Sequence, residues 1–236
     1  MKFVETTEAP ETLNVLLYGP PGTGKTCGAC SAPGPILVLN AEGPGAIRYA
    51  RSVYGDAVRE VVVEGGETLD EAYLYLKDGE GGEKTVVLDT IGEMYRTLLE
   101  GFGGPRPTLQ NYGDVNTKLE RFIRALRDLN LNVILVAHEQ VDDEGGEVTR
   151  RPATGGKKLP EQVMAQVDVV AYTGIVPATD DAPRRYVGQL IEAAGRRAKD
   201  RTGALGDIRD LDLSEWIATA AEAMAPSTNG KPKEKA

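Results

Sequence analysis

Eight residues near the start, Gly19-Pro20-Pro21-Gly22-Thr23-Gly24-Lys25-Thr26, constrain the chain more than any other stretch. They match G-x-x-x-x-G-K-[ST], they follow the apolar run Val15–Tyr18, and they open a predicted helix, which is the setting in which the pattern carries meaning. Glycines let the backbone curl until successive N–H groups point inward at phosphate oxygens, at the positive end of a helix dipole. Lys25 then reaches the β- and γ-phosphates of a nucleotide, and the Thr26 hydroxyl is a ligand for Mg²⁺. A glycine-rich turn that merely caps a helix requires neither side chain.

The runs Val15–Tyr18, Ile36–Asn40, Val58–Val63, Thr85–Leu88, Val133–Ala137, Val167–Thr173 and Tyr186–Glu192 predict strands, each bounded by turn residues. The early ones are continuous apolar runs rather than alternating ones, as a parallel sheet covered by helices on both faces demands. Val115, Leu119, Phe122, Ile123, Leu126 and Leu129 recur at helical spacing behind Asp114, a capping residue, and predict a helix over 114–130. The class is therefore α/β, and the runs 167–176 and 186–192, joined by the turn-rich 177–183, predict an antiparallel C-terminal extension. Residues 1–11 and 225–236 are polar and aperiodic, so loose ends are expected around one domain at 12–224.

Composition excludes several classes. No apolar run approaches the about 18 residues of a membrane span. The acidic start MKFVETTEAPET lacks the basic and apolar parts of a secretory signal, so a cytoplasmic protein is expected. Cys27 and Cys30 have no second thiol pair, and the one histidine, His138, is distant in sequence, so a four-ligand zinc site cannot be completed. Net charge is −9, yet residues 148–201 carry ten Lys/Arg against six Asp/Glu, which suits a local anion-binding face on an acidic body.

Thr85-Val86-Val87-Leu88-Asp89 is an apolar strand ending in a carboxylate. In a parallel sheet the strand ends share one edge, so Asp89 is expected beside the phosphate loop, holding the Mg²⁺ shell with Thr26. Thr90 follows it, not a glutamate, so a carboxylate that activates water must come from elsewhere. Glu42, two residues past Ile36–Asn40, is the candidate; the other reading makes it a solvent-exposed loop acid.

These features resemble the RecA-type ATPases, and more closely the compact RecA-like core ATPases of bacteriophage recombination systems. Gly19–Thr26 resembles their phosphate loop, Ile36–Glu42 the strand carrying the catalytic glutamate, and Val86–Thr90 the Mg²⁺-binding strand. The strand 132–137 leads into His138-Glu139-Gln140, where the family keeps a residue that senses the γ-phosphate. Residues 154–159 look like its second DNA-binding loop, and 167–170 like its antiparallel extension. Ala198-Lys199-Asp200-Arg201-Thr202-Gly203 resembles the K-x-R-x-G signature that reaches into a neighbouring subunit's nucleotide.

The resemblance implies a RecA-like P-loop ATPase core, dependent on ATP and Mg²⁺ and stimulated by DNA. It would work as a homo-oligomeric ring or filament on single-stranded DNA in recombination, annealing or repair, with a single-strand-binding protein as a further partner and the host cytoplasm as its place if the origin is a phage. Lys25, Glu42, Asp89, Lys199 and Arg201 would be catalytic, with His138 or Gln140 as sensor. Two segments are the expected DNA surfaces: the loop 101–113, with Phe102, Arg106 and Tyr112, and 149–158, with Arg150, Arg151, Lys157, Lys158 and no acid. Two alternatives stand beside this. One is an AAA+ motor or loader, set second because Asp89 lacks a following glutamate and the C-terminal region reads as strands where a helical lid is expected. The other is a nucleotide-switched regulator or phosphotransferase that never touches DNA.

Overall fold

The first strand, β1 (Asn14–Gly19), runs straight into the glycine-rich turn, and α1 (Lys25–Ala29) follows. The computed structural model describes residues 12–225 apart from Lys157, with every side chain there except that of Glu144. The expected loose ends, Ala225 aside, lie outside the described residues. Beyond α1 come β2 (Ile36–Asn40), α2 (Arg48–Tyr54), a 3₁₀ turn (Gly55–Ala57), β3 (Val58–Val62), α3 (Gly66–Asp78), β4 (Thr85–Asp89), α4 (Ile91–Gly103) and α5 (Leu109–Arg127). The chain continues through β5 (Asn132–Glu144), β6 (Glu147–Ala153), α6 (Leu159–Gln166), β7 (Val169–Val176), β8 (Arg185–Gln189), β9 (Lys199–Asp200), β10 (Ile208–Asp210) and α7 (Leu213–Met224).

One sheet holds all the strands, in the order β10-β8-β7-β1-β5-β4-β2-β3, with β6 on β5 and β9 on β7. The pairings from β7 across β1, β5, β4 and β2 to β3 are parallel. Those of β8, β9, β10 and β6 are antiparallel, so the mostly parallel α/β sheet and its antiparallel C-terminal extension are as expected. Alternation along β1 explains the layers. Leu16 and Tyr18 face the helices α3 to α6 through Leu69, Leu98, Leu119 and Leu159. Val15 and Leu17 face the opposite layer, where Ala29, Ala50, Leu213 and Trp216 pack. Both faces of the central strands are thus covered, each buried Val or Leu contributing about 1.5–3 kcal/mol. No helix among the described residues is long and apolar enough to cross a membrane.

Four sequence expectations are corrected. Helix α5 starts at Leu109, not near Asp114, because Thr108 and Asn111 form a reciprocal capping box. The segment 101–113 is therefore two helix ends around a short connection rather than a long loop. Strand β5 runs on to Glu144 and pairs with β6 through Gly145 and Gly146, both at positive φ as a tight hairpin turn requires, so much of 149–158 is strand. Finally, a helix follows the last strand: Asp212 accepts from the Glu215 N–H (3.2 Å) to cap α7, which buries Leu213, Trp216, Ile217 and Ala220 at helical spacing.

Candidate nucleotide-binding site

Register brings the chemistry to one sheet edge. Gly19 lies opposite His138, and Asp89 lies opposite both Asn40 and Val136, so the turns after β1, β2 and β4 and the end of the parallel part of β5 converge. They enclose a cleft of about 520 Å³ whose lining includes Gly22, Gly24, Lys25, Thr26, Glu42, Asp89 and His138. Of the expected phosphate-loop residues, Gly19, Pro20 and Thr23 shape the turn while Pro21, Gly22, Gly24, Lys25 and Thr26 face the cleft. Gly24 has φ 80°, a left-handed conformation that favours glycine, and a Cβ there would come 2.9 Å from the Tyr186 ring.

The Lys25 ammonium donates to the carbonyls of Gly19 (3.0 Å) and Pro20 (2.7 Å), which centres it in the loop. Burial lowers its pKa, opposed by Asp89, Glu42 and Glu139. Thr26 donates from Oγ1 to Oδ2 of Asp89 at 2.8 Å. Asp89 is buried, and burial pushes its carboxyl up to about 6, with Glu42 adding and the Thr26 hydrogen bond, Lys25 and His138 opposing. Its Oδ1 is buried without a hydrogen-bond partner among the described residues. A hydroxyl and a carboxylate side by side, one oxygen still unmatched, form a hard-oxygen donor set that fits Mg²⁺.

Glu42 stands across from this pair. Asn40, at the end of β2, shapes its turn by accepting from the Glu42 N–H (2.8 Å) and donating to the Gly43 carbonyl (2.7 Å). The carboxylate Oε1 lies 2.9 Å from Nε2 of His138, so the two expected residues meet. Gln140 does not join them: it faces solvent two residues further along β5 and donates to Asp142 at 2.9 Å.

Lys199 and Arg201 sit at the other end of the sheet. Strand β9 pairs with Val169 and Val170, the first residues of β7, whereas the phosphate loop flanks Thr173. The Lys199 ammonium donates to the carbonyls of Met164 (2.6 Å) and Val167 (2.7 Å), and Arg201 to that of Ala165 (3.1 Å), so both cover the C-terminal carbonyls of α6. Neither residue lines the cleft, so the expected catalytic role finds no contact there.

The expected DNA residues fall into two groups. Phe102 is 47% exposed and Tyr112 40% exposed at the facing ends of α4 and α5, with Arg106 exposed between them. Arg150 and Arg151 are engaged across the hairpin: Arg150 pairs with Glu139 (3.6 Å), and Arg151 with Asp142 (2.6 Å) and Glu161 (3.8 Å). The acid-free count of 149–158 is thus offset by acids that the fold brings alongside. Lys158 is exposed at the head of α6, and Lys157 lies outside the described residues.

The cleft residues that sequence reasoning missed include Tyr49, Tyr54, Tyr186 and Leu211. Their role depends on contacts between distant parts of the chain, and no local pattern signals it. Cys27 and Cys30 are free thiols; burial raises both, Cys30 to about 12.

No curated protein matches the chain. A family model described as an AAA domain matches residues 11–202, most of its length. The match supports the ATP-binding P-loop ATPase domain that the phosphate loop and the strand ending at Asp89 lead one to expect. By that match, and by a phosphate loop closed against Asp89, the chain belongs to the AAA domain family of P-loop ATPases.

Proposed function

We propose that this domain hydrolyses ATP with Mg²⁺, using Glu42 to activate water, in a cytoplasmic homo-oligomer that acts on single-stranded DNA. The observation that carries the reading is the placement of Glu42: Asn40 holds its backbone N–H, His138 meets its carboxylate, and it lines the same cleft as Thr26 and Asp89. Loop N–H groups and Lys25 bind the phosphates. Thr26 and Asp89 would hold Mg²⁺, and the ion would offset phosphate charge. Glu42 accepts the proton of the attacking water, and His138 keeps the carboxylate aimed. Thr90, not a glutamate, follows Asp89, so the base assigned is Glu42, two residues past β2, in keeping with the RecA-like resemblance.

Two placements support the remaining parts. Arg201 lies outside its own cleft, so the only nucleotide it can serve is a neighbour's, as the resemblance implies. The exposed pair Phe102 and Tyr112, with Arg106, offers bases two stacking faces and a phosphate contact. The test is ATP turnover with and without Mg²⁺ and with and without single-stranded DNA. Turnover that needs Mg²⁺, rises with DNA and vanishes in Lys25→Ala supports the reading; turnover indifferent to DNA removes the DNA part, and undiminished turnover by Lys25→Ala removes the site.

A further inference from the structure

The cleft continues past the phosphate loop, and its far end is aromatic. Tyr186, from β8, packs its ring on Gly24, where a Cβ would come 2.9 Å from ring Cδ1. Leu211, just after β10, rests on Gly28, whose missing side chain permits that approach. On another side of α1, Tyr54 shares a hydrogen bond with the Cys27 thiol. All three line the cleft together with Tyr49, and the Arg184 guanidinium lies 5.5 Å from the Tyr186 ring centroid.

The polar groups set the direction in which a nucleotide lies. Lys25 takes the terminal phosphates and Thr26 the metal, so sugar and base extend the other way, over Cys27 and Gly28. Among the described residues lining the cleft, the carboxylates of Glu42 and Asp89 and the imidazole of His138 stand at the phosphate end. The end left for the base is lined by Tyr49, Tyr54, Tyr186 and Leu211, beside Cys27 and Gly28. Ring faces recognise any base by its π-surface, and larger purines present more of it, whereas telling adenine from guanine requires fixed donors and acceptors at the base edge.

We infer that Tyr186 and Tyr54, with Leu211, form a purine subsite that grips the base by its faces, so that the domain takes GTP as well as ATP. The inference rests on the nucleotide-site reading above and extends it to the substrate class.

Calorimetric titration with ATP, GTP, CTP and inorganic tripolyphosphate, each with Mg²⁺, tests it on the full chain. The expected result is ATP and GTP affinities within about tenfold of each other, with CTP and tripolyphosphate weaker. Tyr186→Leu keeps a side chain on Gly24 but removes the ring, and should weaken ATP and GTP alike by roughly 5- to 100-fold while leaving tripolyphosphate unchanged. Tyr186→Phe should retain wild-type affinity. Should Tyr186→Leu fail to fold, Tyr54→Leu makes the same comparison from the other wall. A wild-type preference for ATP over GTP above about 100-fold overturns the inference, as does an unaltered purine affinity, or an equal loss for tripolyphosphate, in the leucine variant. A wild-type protein that binds neither nucleotide nor tripolyphosphate overturns the nucleotide site itself, a separate and recognisable outcome.

Discussion

The hydroxyl oxygens of Thr23 and Thr173 lie 2.6 Å apart, buried, and join residues 150 positions apart in the chain. Thr23 also reaches the Pro20 carbonyl (2.9 Å), and Thr173 the Tyr18 carbonyl (3.2 Å), so β7 holds the phosphate loop in shape from behind. Thr173→Val should reduce stability by about 0.5–1.5 kcal/mol, the net worth of one such bond, and raise KM for ATP, whereas Thr173→Ser should restore both. Denaturant unfolding and steady-state kinetics check this; an unchanged KM in the valine variant would detach Thr173 from the loop.

Asp89 gives a pH dependence whose sign follows from burial. Its folded pKa, about 6, lies above the ordinary 3.8, so the native state keeps the proton to higher pH than the unfolded chain does. Without metal, the unfolded state then binds fewer protons between about pH 4 and 6, and stability falls across that window by an amount on the order of 2–3 kcal/mol. The loss is complete about one unit above pH 6. Thermal melting in EDTA should show this descent in the wild type and lose it in Asp89→Asn, and Mg²⁺ should raise the melting temperature more at pH 7 than at pH 5. Identical pH profiles for the two proteins would contradict the assignment.

For DNA, the aromatic pair and the hairpin arginines make opposite predictions. Phe102→Ala with Tyr112→Ala should weaken single-strand binding by about tenfold or more with little change in salt slope. Arg150→Ala with Arg151→Ala removes cations already paired with Glu139, Asp142 and Glu161, so the slope should shift well short of the about 1.4 expected for two free phosphate contacts. Binding measured from low to high salt decides, and a full shift would return the hairpin to the DNA surface.

Lys199 and Arg201 separate in a similar way. Lys199→Met leaves the Met164 and Val167 carbonyls without their donor and should lower stability by roughly 1–3 kcal/mol. Arg201→Ala should fold and bind ATP normally yet hydrolyse it slowly. Mixed with Lys25→Ala under conditions where the subunits co-assemble, it should regain activity, because some interfaces then carry both intact halves. A mixture no more active than its components would place no Arg201 in a neighbour's site.

What could be read from the sequence followed the range of the forces involved. Gly19–Thr26 and the apolar strand ending at Asp89 are local patterns, and the register of a parallel sheet then brings them together. The β5–β6 hairpin did carry a signal, Gly145-Gly146 between polar alternating residues, but its strands are not apolar enough to stand out. Likewise Thr108 and Asn111, three apart, announce the start of α5 more faithfully than Asp114 does. Tyr186 on Gly24, Thr173 on Thr23, and the acids opposite Arg150 and Arg151 depend on which distant segments meet, and no spacing in the sequence encodes that.

The most direct test of the account is the single-turnover rate of Glu42→Gln, measured alongside its ATP affinity. The side chain keeps its size and its place near His138 but can no longer accept the proton, so ATP should bind with wild-type affinity while the hydrolysis rate falls about 10²–10⁴-fold. A Glu42→Gln protein that hydrolyses bound ATP at the wild-type rate would contradict the account at its centre.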